Sequence, residues 1–241
     1  MSIRLDKLVV DRGFAPSRTR AQAMIEAGKI SVNGQVILNT SRGFAYDAEI
    51  VALEPDIPWV SRAALKLVRA LDAFAVDPKD RIALDIGAST GGFTEVLLSR
   101  GAKHVYAVDV GTSQMHDKLL YDDRITVREG VHIRDVKSED FAEAPSLIVI
   151  DVSFISLSIV LPIAAQLLAP KGDIVALIKP QFEVGKENIG KGVVRDPELH
   201  KAVRERIALL GKELGFKVHG PVDSPIEGGD GNIEFLIHLA R

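Results

Sequence analysis

Between Ala83 and Val110 the chain reads ALDIGASTGGFTEVLLSRGAKHVYAVDV: a buried strand, a glycine-rich turn, a helix, and a second buried strand that closes on an acid. Gly87, Gly91 and Gly92 let the backbone turn tightly and approach a ligand with no Cβ in the way. Thr94 to Arg100 carries Val96, Leu97 and Leu98 with Gly101 just past the end, an ordinary helix stop. Val105 to Val108 then leads to Asp109. In a βαβ unit this arrangement sets a nucleotide-like ligand at the first strand's carboxyl end, where Asp109 can accept hydrogen bonds from ribose hydroxyls. A dinucleotide would need its pyrophosphate on the helix N-terminus, served by G-x-G-x-x-G. Here Ser89 takes the second glycine's place, and Asp85 sits two residues before the first, near where phosphates would have to lie. An acid there suits a cationic ligand.

The D-x-G-x-x-x-G-G spacing resembles motif I of S-adenosylmethionine-dependent methyltransferases, whose cofactor carries a sulfonium and an ammonium but no phosphate. The resemblance implies cofactor contacts from Asp85, Gly87, Ala88, Ser89, Thr90, Gly91, Gly92, Phe93, Asp109 and Val110. A plain strand-turn-helix crossover and an NAD site with a degenerate loop remain open on this stretch alone.

The elements that must position these groups follow along the chain. A helix is expected over SRAALKLVRALDAF, opened by Ser61, with Leu65, Val68, Leu71 and Phe74 as its apolar stripe and Lys66 off it. Apolar strands end at Asp151 (LIVIDVSF) and Lys179 (DIVALIKPQF). A helix is expected over Pro197–Leu214, and a last strand over Asn232–His238, bearing Glu234. Alternating strands and helices argue a doubly wound α/β sheet whose active edge gathers the polar strand ends. The loop from Glu183 to Arg195 mixes Gly185, Gly190 and Gly192 with Lys186, Lys191 and Arg195. It reads equally as a surface connection and as a lid or RNA contact beside Lys179.

Composition narrows the classes. The 241 residues hold one sizeable α/β domain and a small one, and 46% hydrophobic content supports a real core. With no cysteine there are no disulfides or thiolate metal sites, which fits a reducing cytoplasm. The six histidines form no H-x-x-x-H pair, so no metal is expected. MSIRLDKLVVDRG carries charges through what a signal peptide would keep apolar. Leu147–Leu168 is long enough to span a bilayer, but Asp151, three serines, Pro162 and Gln166 fit a strand followed by an amphipathic helix better, so no membrane association is expected.

The net charge of -3 is uneven: residues 1–43 sum to about +4, leaving the remainder near -7. In the basic part Leu5, Leu8 and Val9 form an apolar face ended by Gly13. Ser17 caps a second helix that runs to Ala27 and stops at Gly28, and Val32-Asn33-Gly34-Gln35-Val36 reads as a tight hairpin. RLDKLVVDRGFAPSRTRAQAMIEAGKISVNG resembles the S4 RNA-binding domain, which implies that Arg4, Lys7, Arg12, Arg18, Arg20 and Lys29 face RNA. EPDIPWV, with Pro55 and Pro58, is a linker. The expected division is residues 1–58 for the S4-like domain and linker, and 59–241 for the catalytic domain.

Lys66, Asp151, Lys179 and Glu234 in that order resemble the catalytic tetrad of FtsJ-type 2′-O-ribose methyltransferases. It is the resemblance, not the spacing, that selects them among the many charged residues. An alcohol is a poor nucleophile, so its proton must be removed or its developing charge held as the methyl leaves sulfur, and a lysine can do either.

The whole series (S4 pattern, VSRAALKL, DIGASTGGFTEVLL, YAVDVGTSQ, IDVSFISL, LIKPQFEVGKENIGKGVVRDP and SPIEGGDGNIEFLIH) is similar to the TlyA family. That family implies a small α+β S4 domain before a Rossmann-like class I methyltransferase domain with a mostly parallel seven-stranded sheet. The implied reaction is S-adenosyl-L-methionine-dependent 2′-O-methylation of cytidine in ribosomal RNA, with rRNA or a ribosomal subunit as partner. The compact chain is similar to the shorter members, which implies large-subunit 23S rRNA. One departure is His132 in VHIRDV, where the family has asparagine. The alternatives are an RNA base methyltransferase, which lacks an Asn/Asp-Pro-Pro-Tyr-like motif here, and a lytic protein, as the family's hemolysin label suggests.

Overall fold

The computed structural model describes residues 2–15, 17–53, 57–185, 189, 192–229 and 231–241. The chain divides into two compact units, Met1–Pro58 and Trp59–Arg241.

In the first unit, β1 (Ser2–Arg4) leads directly into α1 (Leu5–Asp11), and α2 (Arg18–Glu26) follows. Then come β2 (Ile30–Val32), β3 (Gln35–Val36), β4 (Gly43–Ala45) and β5 (Ile50–Ala52). Leu5, Leu8 and Val9 are fully buried against Ala21, Met24 and Ile25, as the apolar face requires. The Ser17 hydroxyl accepts from the Arg20 amide and so caps α2. Asn33 and Gly34 both take positive φ, 50° and 76°, which is the backbone of a two-residue hairpin turn between β2 and β3. The β1–β4 pair, Ser2 to Arg4 against Ala45 to Gly43, has no signal in the sequence because three residues are too few for alternation to register.

The second unit runs α3 (Ala64–Phe74), β6 (Ile82–Ile86), α4 (Gly92–Ser99), β7 (His104–Val108), α5 (Asp117–Leu120) and β8 (Ile125–Arg128). It continues through β9 (Leu147–Ile150), α6 (Leu157–Leu167), β10 (Asp173–Ile178), α7 (Pro197–Glu213), β11 (Lys217–Asp223) and β12 (Phe235–Ala240). The sheet order is β11-β12-β10-β9-β6-β7-β8, parallel from β10 to β8, with β12 antiparallel to both neighbours. Winding reverses between β6 and β9, the switch point at which open α/β sheets form a crevice.

Successive residues on these strands serve opposite faces. Ala83, Val105, Leu147, Val149, Val175, Leu177 and Leu236 pack with Leu67 and Leu71 of α3 and Val96 and Leu97 of α4. Leu84, Ile86, Ile148, Ile150, Ile174, Ile178 and Ile237 pack with Val160 and Leu161 of α6 and Ile207 of α7. By the same alternation Asp85, Asp151, Lys179 and Glu234 occupy register positions on the face covered by α3 and α4. Within Leu147–Leu168, β9 and α6 account for the apolar stretch, and no described helix is long and apolar enough to cross a membrane.

Three expectations change. The helix begins at Ala64, not at Ser61: the Ser61 hydroxyl accepts from the Ala63 amide in a preceding turn, and that turn packs against Gly92. The buried face of α3 is Ala64, Lys66, Leu67, Ala70 and Leu71, whereas Leu65, Val68 and Phe74 are only half-buried. Small alanines let α3 lie close to the sheet, and Lys66 is admitted among them because its charge has a buried partner. Glu234 also precedes the last strand, which begins at Phe235.

The first unit is organised around one acid. Asp6 is fully buried and accepts hydrogen bonds from Arg4 (3.1 and 2.9 Å), Arg18 (2.9 Å) and Gln22 (2.8 Å). Arg4, then Arg18 and Gln22, outweigh burial and hold this carboxyl well below the usual carboxylate range. A depressed acid contributes stability that is complete above its unfolded value of 3.8 and is lost as pH falls. Asp6→Asn should therefore cost the first unit roughly 2–4 kcal/mol at pH 7 and flatten its loss of stability below pH 4. Hydrogen exchange of the α1 and α2 amides measures this, and equal protection in the variant at pH 7 would contradict it.

Candidate active site

The crevice at the switch point is built by the loops after β6, β7 and β9. A cavity of about 550 Å³ opens there, walled by Ile86, Gly87 and Ser89, by Val108 to Gly111, by Val131 to Ile133, and by Asp151 to Ile155. Among the described residues its lining contains two carboxylates, Asp109 and Asp151, and no lysine or arginine. Such a wall disfavours a pyrophosphate and favours a ligand that carries positive charge. A second space of about 170 Å³ shares Gly87, Ser89, Asp151 and Ser153 with the first and is closed by Ser61, Thr90, Phe93 and Lys179.

The glycine loop holds the crevice open by backbone packing. Gly87 has φ +85°, and a Cβ there would overlap the Asp151 carbonyl, so its bareness serves the neighbouring strand end as well as any ligand. Gly91 packs against Met115 and Leu119 and lines neither space; Ala88, Thr90, Gly92 and Phe93 line only the smaller one, and Val110 is an exposed part of the larger wall. Asp109 accepts from the Ser89 amide at 2.8 Å and the Gly111 amide at 2.7 Å, fixing both loops while still lining the cavity. At His132, Nδ1 accepts from the Arg134 amide at 3.1 Å, and the ring is part of the cavity wall.

Asp85 departs from its expected place. It is fully buried beneath the loop, lines neither space, accepts from the Thr94 hydroxyl at 2.7 Å, and its Oδ1 has no partner among the described residues. Burial raises its pKa to about 7, against the Thr94 hydrogen bond and with help from the charges of Asp151 and Asp109.

At the carboxyl edge the four charged residues form two pairs. Lys179 Nζ lies 2.6 Å from Asp151 Oδ1, a close ion pair rather than an aligned hydrogen bond, and donates to Ser153 Oγ at 3.1 Å. Lys66 Nζ donates to Glu234 Oε2 at 2.6 Å, with both side chains buried. The register places the pairs side by side. Ile178 faces Phe235 across β10 and β12, so Lys179 and Glu234 occupy the next opposed positions; Asp151 follows Ile150, which is paired with Ile86 and Ala176.

Sequence reading missed Phe154 and Phe182. Their rings lie 5.0 Å apart, Phe154 is 92% exposed at φ +64°, and Lys179 Nζ lies 6.0 Å from the Phe182 ring. IDVSFISL contained Phe154, but nothing in its composition distinguishes an exposed strained aromatic from a core one. In the loop from Glu183 to Arg195, residues 186–188, 190 and 191 lie outside the described residues. At its far end Asn232 accepts from the Val194 amide and donates to the Gly192 carbonyl.

The basic residues of the first unit are unequal. Arg4 and Arg18 are half-exposed but anchored on Asp6, while Arg12 is held by the Tyr46 and Ala48 carbonyls. Arg20 reaches the Ile57 carbonyl at 3.4 Å, Lys7 is exposed and Lys29 half-buried.

Comparison with known proteins supplies the family. The FtsJ-like methyltransferase model matches residues 59–241, and the S4 domain model matches residues 3–42. The 16S/23S rRNA (cytidine-2′-O)-methyltransferase TlyA of Mycobacterium tuberculosis is 43% identical over 98% of this chain and 89% of its own. The chain belongs to the TlyA family of FtsJ-like methyltransferases. The 23S rRNA (cytidine-2′-O)-methyltransferase TlyA of Campylobacter jejuni is 40% identical over 76% of this chain and 71% of its own. Among solved structures, a candidate hemolysin from Streptococcus thermophilus superposes with a TM-score of 0.78 at 43% identity, covering all of this chain and 88% of that one.

A raised acid favours folding in its protonated form, so the contribution of Asp85 is complete below its unfolded value of 3.8 and is lost as pH rises toward 7. Asp85→Asn replaces it with a group that stays neutral. The melting free energy of the variant should gain on the wild type by on the order of 3–4 kcal/mol between pH 4 and pH 8. Calorimetric melts across that range read it directly, and a constant difference would mean that Asp85 is already ionised in the fold.

Proposed function

We propose that this protein transfers a methyl group from S-adenosylmethionine to the 2′-hydroxyl of a cytidine in ribosomal RNA, and that the RNA is the 23S molecule named in both TlyA relatives. The reading rests on one juxtaposition: two lysine–carboxylate pairs at the carboxyl edge of a methyltransferase sheet, beside a cavity whose described lining includes two carboxylates and no lysine or arginine.

S-adenosylmethionine would supply a methyl group on a positively charged sulfur. Asp109 would accept the cofactor's ribose hydroxyls. Val110, Val131 and Ile133 offer apolar wall to its base, and the Gly87–Ser89 backbone leaves room for its amino-acid end. Asp85, pushed toward its neutral form by burial, holds Thr94 from beneath the loop and makes no cofactor contact.

Lys179 then acts on the RNA hydroxyl. A neutral amine takes the proton, and an ammonium holds the negative charge that develops on oxygen. Asp151 fixes the amine in place, and Lys66, anchored by Glu234, adds positive charge beside it. Phe154, exposed next to Phe182, offers a face on which an unstacked base can lie. In the first unit Arg4 and Arg18 present guanidinium groups held by Asp6, suited to phosphate, with Lys7, Arg20 and Lys29 as further contacts. Arg12 is better placed to brace the Tyr46–Ala48 turn. An enzyme with this substrate works in the cytoplasm.

Lys179→Ala should lower kcat by about 10²–10⁴-fold while leaving S-adenosylmethionine affinity nearly unchanged, because the amine acts mainly in the transition state. Lys179→Arg should not restore the rate, since a guanidinium stays protonated. Single-turnover methylation of rRNA with calorimetric cofactor titration tests both. Substantial activity in Lys179→Ala removes this residue from the chemistry.

A further inference from the structure

Glu183 is a buried acid with no part in the chemistry above. Its side chain is 2% exposed, yet it follows Lys179 by only four residues. A carboxylate is tolerated there only if its oxygens are satisfied, and the donors come from two other segments. The Ser156 hydroxyl donates to Oε2 at 2.7 Å and the Leu157 amide to Oε1 at 2.7 Å. From α7, Arg206 donates to Oε2 at 2.9 Å and to the Glu183 carbonyl at 2.7 Å.

Ser156 and Leu157 end the loop that begins at Asp151 and carries Ser153 and Phe154. Glu183 itself ends the tight turn that begins at Lys179, where the Phe182 amide donates to the Lys179 carbonyl and the Glu183 amide to that of Pro180. One carboxylate thus joins the far ends of the two loops whose near ends hold the Lys179–Asp151 pair and whose middles hold the Phe154–Phe182 pair.

We propose that Glu183 is a positioning residue for methyl transfer: by tying the two loops together and to α7, it sets the placement of Lys179 against Asp151 and of Phe154 against Phe182. The proposal rests on the reading of Lys179 as the working group. A helix cap of purely structural value would lower stability without touching the rate of the folded enzyme.

The experiment is a double-mutant cycle on the full-length protein, run well below each variant's melting temperature. Glu183→Gln keeps the size and loses the ion pair with Arg206. It should reduce kcat about tenfold or more while S-adenosylmethionine affinity stays within about twofold, because the groups proposed to hold the cofactor, Asp109, Val110 and the Gly87–Ser89 backbone, lie on the β6 and β7 loops, which Glu183 does not touch. In an Asp151→Asn background, where the pair is already broken, the same change should cost less than about twofold. Arg206→Ala, which leaves the contacts to Ser156 and Leu157, should give the same pattern at about three- to fivefold and serves if Glu183→Gln does not fold. Equal losses in both backgrounds, unchanged kcat with a lower melting temperature, or a parallel fall in cofactor affinity would each overturn the proposal. Failure of the underlying reading is distinguishable, because Lys179→Ala would then remain active whatever Glu183 does.

Discussion

Charged groups at the carboxyl edge of a buried parallel sheet must neutralise one another, and this constraint organises the second unit. Asp151, Lys179 and Glu234 lie one residue beyond strands whose alternation is fixed by two apolar faces. A slip of one residue in β10 would send Lys179 to the α6 face and bury Leu177 and Ile178 on the wrong sides, so the core enforces the register. With the register set, Lys179 meets Asp151, and Glu234 is left for a cation from outside the sheet. Lys66 supplies it, and the cost of burying that lysine in α3 is offset by the pair it makes.

The same edge explains the division of labour among the acids. Asp85, on the same face but deeper, has one hydroxyl partner and an oxygen unpaired among the described residues, so burial pushes it toward the neutral form. Asp109, one strand over, spends its lone pairs on the Ser89 and Gly111 amides and still fronts the cavity. One carboxyl anchors Thr94 from below, one shapes the loops, and one holds the lysine. Gly87 is where these demands meet, because its backbone lies against the Asp151 carbonyl.

The elements with strong local signals were legible in the sequence. The buried runs Ile82–Ile86, His104–Val108 and Leu147–Ile150 gave a doubly wound sheet, and the caps at Ser17 and Gly28 bounded α2. What depended on distant partners was not. The stripe assigned to α3 left out Lys66, because periodicity cannot register a lysine whose partner is Glu234, 168 residues away. Glu183 looked like an ordinary loop acid for the same reason, its donors lying 23 to 27 residues off in sequence. Basic residues in the first unit looked alike until the fold committed Arg12 to carbonyls and Arg4 and Arg18 to Asp6. The grouping of Lys66, Asp151, Lys179 and Glu234 came from family resemblance, and the geometry supplies its physical sense: one buried and one partly buried pair in adjacent register.

The central claim is that this edge methylates a ribose oxygen, and the product carries the decisive mark. A methyl on O2′ prevents that oxygen from attacking the adjacent phosphate, so the linkage survives alkali. Unmodified 23S rRNA would be incubated with the purified protein and S-adenosylmethionine bearing a labelled methyl group, then hydrolysed in alkali and separated. The account predicts the label in an alkali-resistant dinucleotide that yields 2′-O-methylcytidine; label recovered in ordinary mononucleotides would place the methyl on a base and contradict it.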